Sequence, residues 1–158
     1  MDLHQKIIRT FYTAFAAKDV ETMVSLYDDA VHFQDPAFGQ LTGERAGDMW
    51  RMLISSQKGK TFDVTFHAVA ATEKGGTAHW SASYTFSHTG RKVINEIDAT
   101  FVIVDGKIVK HTDTFALRKW AHQAMGFKGW LLGGTGFFQK KLQAQTNTML
   151  DKWVDKKK

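Results

Sequence analysis

The stretch Ile97-Asp98-Ala99-Thr100-Phe101-Val102-Ile103-Val104-Asp105-Gly106-Lys107-Ile108-Val109-Lys110-His111-Thr112-Asp113-Thr114-Phe115 decides the fold. Ile97, Ala99, Phe101 and Ile103 recur at every second position, the period of a half-buried strand. Asp105-Gly106 then offers the strongest short-range hairpin signal, because both residues tolerate positive φ. A second strand is predicted over about residues 107–117. Val109, His111, Asp113 and Phe115 fall on one of its faces, and Lys110, Thr112 and Thr114 on the other. If Phe115 points inward, so do His111 and Asp113. Burying an imidazole and a carboxylate costs free energy unless they are paired or used in chemistry. A carboxylate beside an imidazole can orient the ring for proton transfer, so His111 and Asp113 are candidate catalytic residues.

Upstream, the same two-residue period runs through Phe62, Val64, Phe66 and Ala68, and through Ala78, Trp80, Ala82, Tyr84 and Phe86. Lys74-Gly75-Gly76 and Thr89-Gly90-Arg91 are the predicted turns between these runs. The first third of the chain has helical periods instead. Leu3, Ile7, Ile8, Phe11, Tyr12 and Phe15 make one apolar stripe. Asp19 is a good N-cap for a second helix carrying Met23, Val24 and Tyr27. Val31-His32-Phe33 is extended, and Pro36, Gly39 and Gly43 mark a loop. A third helix is predicted over about 44–56, with Ala46, Met49, Trp50 and Leu53 inward. Three helices followed by a meander of antiparallel strands read as α+β, with the helices on one face of a curved sheet.

The composition excludes several classes of function. The 158 residues contain no cysteine and one proline, so thiolate metal sites, iron–sulfur clusters and disulfide scaffolds are out. Hydrophobic residues at 43% and charged residues at 23% suit a folded domain. No apolar run reaches the roughly 20 residues of a membrane span, and the first residues lack an apolar signal core. A cytoplasmic protein is expected. The net charge of +5 is uneven: residues 118–158 hold nine Lys/Arg against two Asp/Glu. That basic segment has no interleaved aromatic face, so neither nucleic acid nor membrane is expected as a partner.

After Arg118 the chain turns helical, then passes five glycines between Gly126 and Gly136. The run lacks the phosphate-loop pattern, so a lid-like connection is the expectation. A last helix over about 137–155 carries Phe138, Leu142, Met149 and Trp153, and is expected to pack over its own cone mouth or across a dimer mate and to gate ligand entry.

Asp35-Pro36 ends the first extended stretch, and the proline holds Asp35 in extended geometry. Asp98 faces outward by hydrophobic alternation and inward in the opposite frame. Tyr12, Phe33, Trp50, Trp80, Tyr84, Asn95, Phe101 and Phe115 lie on inferred inner faces, as core or as the wall of an apolar ligand pocket. His79 with His111 and Asp113 could make a metal set on adjacent strands, but alternation turns His79 away, and no metal is expected.

The order of elements resembles the nuclear transport factor 2-like superfamily, which includes ketosteroid isomerase and the SnoaL-type polyketide cyclases. The carriers are Lys18-Asp19, Leu26-Tyr27-Asp28-Asp29-Ala30, Asp35-Pro36, Gly43, and the string from Gly90-Arg91-Lys92 to Asp105-Gly106-Lys107-Ile108. The resemblance implies a cone-shaped curved antiparallel sheet with three helices on its concave face, over residues 1–120, and a helical extension over 121–158. It implies Asp35 as a general base, His111 and Asp113 as a pair similar to that of the cyclases, and Asp98 at the position of an oxyanion-hole acid. Phe11 stands where ketosteroid isomerase has its tyrosine, with Tyr12 one step round. The expected function is a cofactor-free acid–base enzyme (isomerase, cyclase, dehydratase or hydrolase) on a small apolar molecule. The alternative is a non-catalytic ligand-binding or dimerisation module. A homodimer through the convex sheet face is expected, because Thr65, Thr85, Thr112 and Thr114 leave that face with few charges.

Overall fold

The computed structural model describes residues 2–158. Three helices come first: α1 (Leu3–Ala16), α2 (Val20–Ser25) and, after two strands, α3 (Glu44–Ser56). Asp2 and Asp19 cap the first two by accepting the backbone N–H of His4 and Thr22. The strands are β1 (Tyr27–Asp35), β2 (Gly39–Thr42), β3 (Phe62–Ala71), β4 (Gly75–Phe86), β5 (Arg91–Val104) and β6 (Lys107–Thr114). They form one curved, unclosed sheet in the order β2-β1-β6-β5-β4-β3. The meander β3 to β6 is antiparallel as expected, but β1 joins β6 in parallel, so the sheet is mixed.

The apolar stripe of α1 lies in the concavity, with Ile8, Phe11, Tyr12 and Phe15 buried. Leu3, expected in that stripe, is exposed at the helix start.

Irregularities in the ladder change which residues face inward. In β3 the register shifts between His67 and Ala70, and Ala68 takes a φ of 55°. This bulge turns Ala68 out to solvent and puts Val69 in the core. In β6 the pairing passes from Val102↔Lys110 to Ile103↔Ile108, leaving Val109 as the extra residue. Ile108 is the fully buried one. Beyond the bulge the alternation is as expected, with His111 and Asp113 inward. Tyr27 opens β1 opposite Ile108 and does not belong to the second helix. Gly75 and Gly76 begin β4, and the turn before them closes between Thr72 and Gly75. A Cβ on Gly75 would lie 2.1 Å from the Phe101 carbonyl oxygen, so no side chain fits there.

Three helices follow the sheet: α4 (Leu117–Met125), α5 (Phe127–Leu132) and α6 (Gly136–Lys157). The glycine-rich stretch is therefore not a loose connection. It contains α5, pressed against α4. A small second core forms where Val93, Trp120, Ala121 and Ala124 meet. Helix α6 crosses the β1–β2 hairpin. Gln143 Nε2 donates to the Pro36 carbonyl at 3.2 Å, Thr146 Oγ1 to that of Ala37 at 2.8 Å, and Asn147 Nδ2 to that of Phe38 at 2.9 Å. Leu150 is the fully buried anchor of this helix, whereas Met149, expected in its docking stripe, is exposed. Among the described residues no helix is long and apolar enough to cross a membrane.

Candidate active site

Strand β6 carries His111 and Asp113 into the concavity, both buried. Strand β1 runs beside it with Phe33 opposite His111 and Gln34 opposite Thr112. Asp35, the next inward-facing residue of β1, therefore shares the inner face with Asp113 and feels its charge. The two carboxylates share that face because two neighbouring parallel strands end on it.

A directed hydrogen-bond chain runs through His111. Trp50 Nε1 donates to the Tyr27 hydroxyl at 2.9 Å. The Tyr27 hydroxyl lies 2.8 Å from His111 Nδ1. His111 Nε2 lies 2.9 Å from Asp113 Oδ1, which also accepts Trp80 Nε1 at 3.4 Å. Tyr27 has one proton to give and already accepts from Trp50, so it donates to Nδ1. His111 then carries its proton on Nε2 and donates it to Asp113. Every polar atom of the imidazole is used, which is what burial demands. The ring is also clamped: it stacks on Phe101 at 4.3 Å between centroids and on Trp50 at 6.2 Å. Phe33 and Phe11 meet it edge-on at 5.1 and 5.4 Å.

Asp35 has different surroundings. Its Oδ1 accepts the backbone N–H of Ala37 at 2.9 Å and of Phe38 at 2.6 Å, forming the turn that joins β1 to β2. Burial raises the carboxyl to about 7, and the charge of Asp113 adds to the rise; the two amides oppose it. Asp35 therefore changes charge near neutral pH, while its Oδ2 is left out of the turn.

Tyr12 is fully buried among Phe66, Trp80 and Phe101, and its hydroxyl has no hydrogen-bond partner. Burial, then the charge of Asp113, hold its pKa well above the ordinary value, so the group is a neutral donor. An unpaired buried hydroxyl costs about 1–3 kcal/mol. An open cleft of about 330 Å³ lies between Pro36, Phe115, Arg118 and the Gly133–Gly136 segment.

The structure thus gathers Asp35, His111, Asp113, Tyr12, Phe33, Trp50, Trp80 and Phe101 in or around the concavity, with Phe115 on the cleft wall. It does not bring Asp98 there. Asp98 lies on the convex face, exposed, 2.9 Å from His79 Nδ1, because the alternation of β5 runs unbroken from Val93 to Phe101. His79 shares that face, with its Nε2 2.6 Å from Glu96, so it cannot join His111 around a metal. Tyr84 accepts Trp120 Nε1 at 2.7 Å, which ties it to the second small core. Asn95 is half-buried opposite Ala82, away from the His111 chain. Tyr27 was not among the candidates. Its one signal was a tyrosine between apolar and acidic residues, and the helical reading of that segment hid it.

The SnoaL-like domain model matches residues 8–111. The chain belongs to the SnoaL-like domain family. It has the nuclear transport factor 2-like fold, as its structural neighbours also show. A nuclear transport factor 2-like protein of unknown function from Burkholderia pseudomallei superposes with a TM-score of 0.66 at 14% identity, covering 79% of this chain and 99% of that one. A presumptive polyketide cyclase from Xanthomonas campestris gives 0.62 at 16%, covering 77% and 96%. An LEH-like epoxide hydrolase from Mycobacterium tuberculosis gives 0.60 at 19%, covering 83% and 91%. At these identities the likeness is one of fold. No curated protein matches the sequence. The SnoaL-like match ends at His111, so Asp113 and the helices that cover the Asp35 turn lie beyond it.

Proposed function

We propose that this SnoaL-like protein is a cofactor-free acid–base enzyme that moves a proton on a small apolar substrate. The reading rests on one observation, the buried His111–Asp113 pair on the face that Asp35 shares from the next strand, where burial raises the Asp35 carboxyl to about 7. An ordinary aspartate is too weak a base at neutral pH, and catalytic carboxylates work best with a pKa near the working pH. In this reading Asp35 Oδ2 takes a proton from a carbon next to a carbonyl. The C–H electron pair moves into the carbonyl, and the Tyr12 hydroxyl donates to the resulting oxyanion. Asp35 then returns the proton to the same carbon or, where the substrate carries a β,γ double bond, to the far end of that double bond, and the carbonyl reforms. Burial keeps Asp35 basic, with the charge of Asp113 adding to it, and Asp113 is itself held by His111 and Trp80. His111 is a positioning residue, because all its polar atoms are engaged.

A second reading is a non-catalytic ligand-binding or dimerisation module. The rings packed on His111 support it, since they fill the part of the cone where a substrate would meet the imidazole.

The test follows hydrogen–deuterium exchange at carbons next to the carbonyl of cyclic ketones and β-keto esters in D2O by NMR. The enzymatic reading expects saturable acceleration by the wild type and a loss of about 100-fold or more in Asp35→Asn. Saturable binding of the same compounds without any acceleration would establish the second reading instead.

A further inference from the structure

Helix α5 is amphipathic in the reverse sense. Its glycines face the protein and its bulky apolar residues face solvent. A Cβ on Gly129 would stand 2.1 Å from the Ala121 carbonyl oxygen, and one on Gly133 would stand 2.7 Å from the Ala121 Cβ. These two glycines, one turn apart, are where α5 touches α4. With about 3.6 residues per turn, Phe127 and Leu131 fall on the opposite side. They are 67% and 51% exposed, with Trp130 and Leu132 on the flanks at 42% and 51%, and Phe137 at the start of α6 is 78% exposed. Ordinary surface helices bury such residues. Here the glycine contact holds the helix in place while the large side chains stay outside. Phe127 stacks on Trp130 at 6.0 Å, and Arg118 sits over the same indole at 5.2 Å, so the exposed rings are held in position.

The charge around this patch selects its occupant. Between Asp113 and Asp151 the chain has no acidic residue, and it has Arg118, Lys119, Lys128, Lys140 and Lys141. A second copy placed face to face would set cation against cation. An anionic lipid surface would accept both parts: the rings and leucines enter the headgroup boundary, where Trp is favoured, and the cations meet lipid phosphates and carboxylates. We propose that the α5 tip docks this protein on the surface of an anionic membrane. This replaces the expectation, drawn from the sequence, of no membrane partner. The contact is peripheral and independent of whether Asp35 is catalytic.

The test is co-sedimentation of the full chain with vesicles of phosphatidylcholine alone and of phosphatidylcholine with phosphatidylserine. The proposal expects binding at least about tenfold stronger to the phosphatidylserine vesicles, weakening as salt is raised. Phe127→Ser with Leu131→Ser should abolish it without shifting the melting temperature, because both side chains are already exposed. Lys128→Glu with Lys140→Glu should weaken it by about tenfold or more. Equal or absent binding to the two vesicle types would overturn the proposal. So would a concentration-dependent self-association, seen by light scattering, that disappears in the Phe127/Leu131 variant.

Discussion

The Tyr27 hydroxyl donates to Nδ1 of His111 across 2.8 Å, joining the first residue of β1 to the middle of β6. This contact aligns the only buried imidazole among the described residues, and it depends on the parallel pairing of the two strands. Tyr27→Phe leaves Trp50 Nε1 without an acceptor and His111 Nδ1 without a donor. The expected cost is about 1–3 kcal/mol, measured by urea denaturation. The His111 ring should also lose its tautomer preference, visible in its nitrogen NMR shifts. An unchanged midpoint would refute the directed chain.

Asp35→Asn keeps the oxygen that accepts from Ala37 and Phe38 and removes the titration. In the wild type the folded carboxyl holds its proton up to about 7, while the unfolded one releases it near 3.8. Between those values the native state binds more protons, so stability falls as pH rises. Melting temperatures taken from pH 4 to 8 should therefore slope downward in the wild type, and the slope should be shallower in Asp35→Asn. At pH 8 the variant should be the more stable of the two.

His79 behaves as a separate pH-sensitive group. Hydrogen bonds that its ring donates to Asp98, then Glu96, raise its pKa above the ordinary 6.5. The stabilisation is full below the unfolded value and is lost as pH rises through the folded one. His79→Gln should lie below the wild type in melting temperature at pH 5.5, and the two should converge at pH 9. A constant gap would mean that the ion pairs contribute nothing.

Leu150→Ala and Met149→Ala separate the real docking face of α6 from the one inferred by spacing. Leu150 is fully buried and should cost about 2–5 kcal/mol. Met149 is exposed and should change stability by less than about 0.5 kcal/mol. Thermal or urea unfolding of the two variants decides it.

The convex sheet face is proposed as the homodimer interface, although it is more charged than the threonine pattern suggested. Glu96, Asp98 and His79 stand on it as an ion-pair cluster. Light scattering at micromolar concentration should give a particle twice the 17.9 kDa of one chain. A mass of one chain would refute the dimer.

What the sequence determined by itself was everything carried by local period and punctuation. The two-residue alternation of β5 and β6 around Asp105-Gly106, the Asp19 cap and the third helix over 44–56 all follow from short-range rules of backbone sterics and side-chain direction. Those rules also put His111 and Asp113 on an inward face. The same alternation turned Asp98 outward, where the structure keeps it, and its place in a site came only from the family resemblance. The local rules misread Tyr27, whose strand state comes from pairing with Ile108, eighty-one residues away. Tertiary structure alone decided that β1 runs parallel to β6, which puts Asp35 on the same face as Asp113 and buries it, and the burial raises its pKa. It alone decided that Gly129 and Gly133 are contact points and not hinges. Both facts depend on the approach of segments far apart in the chain, and no local period encodes that distance.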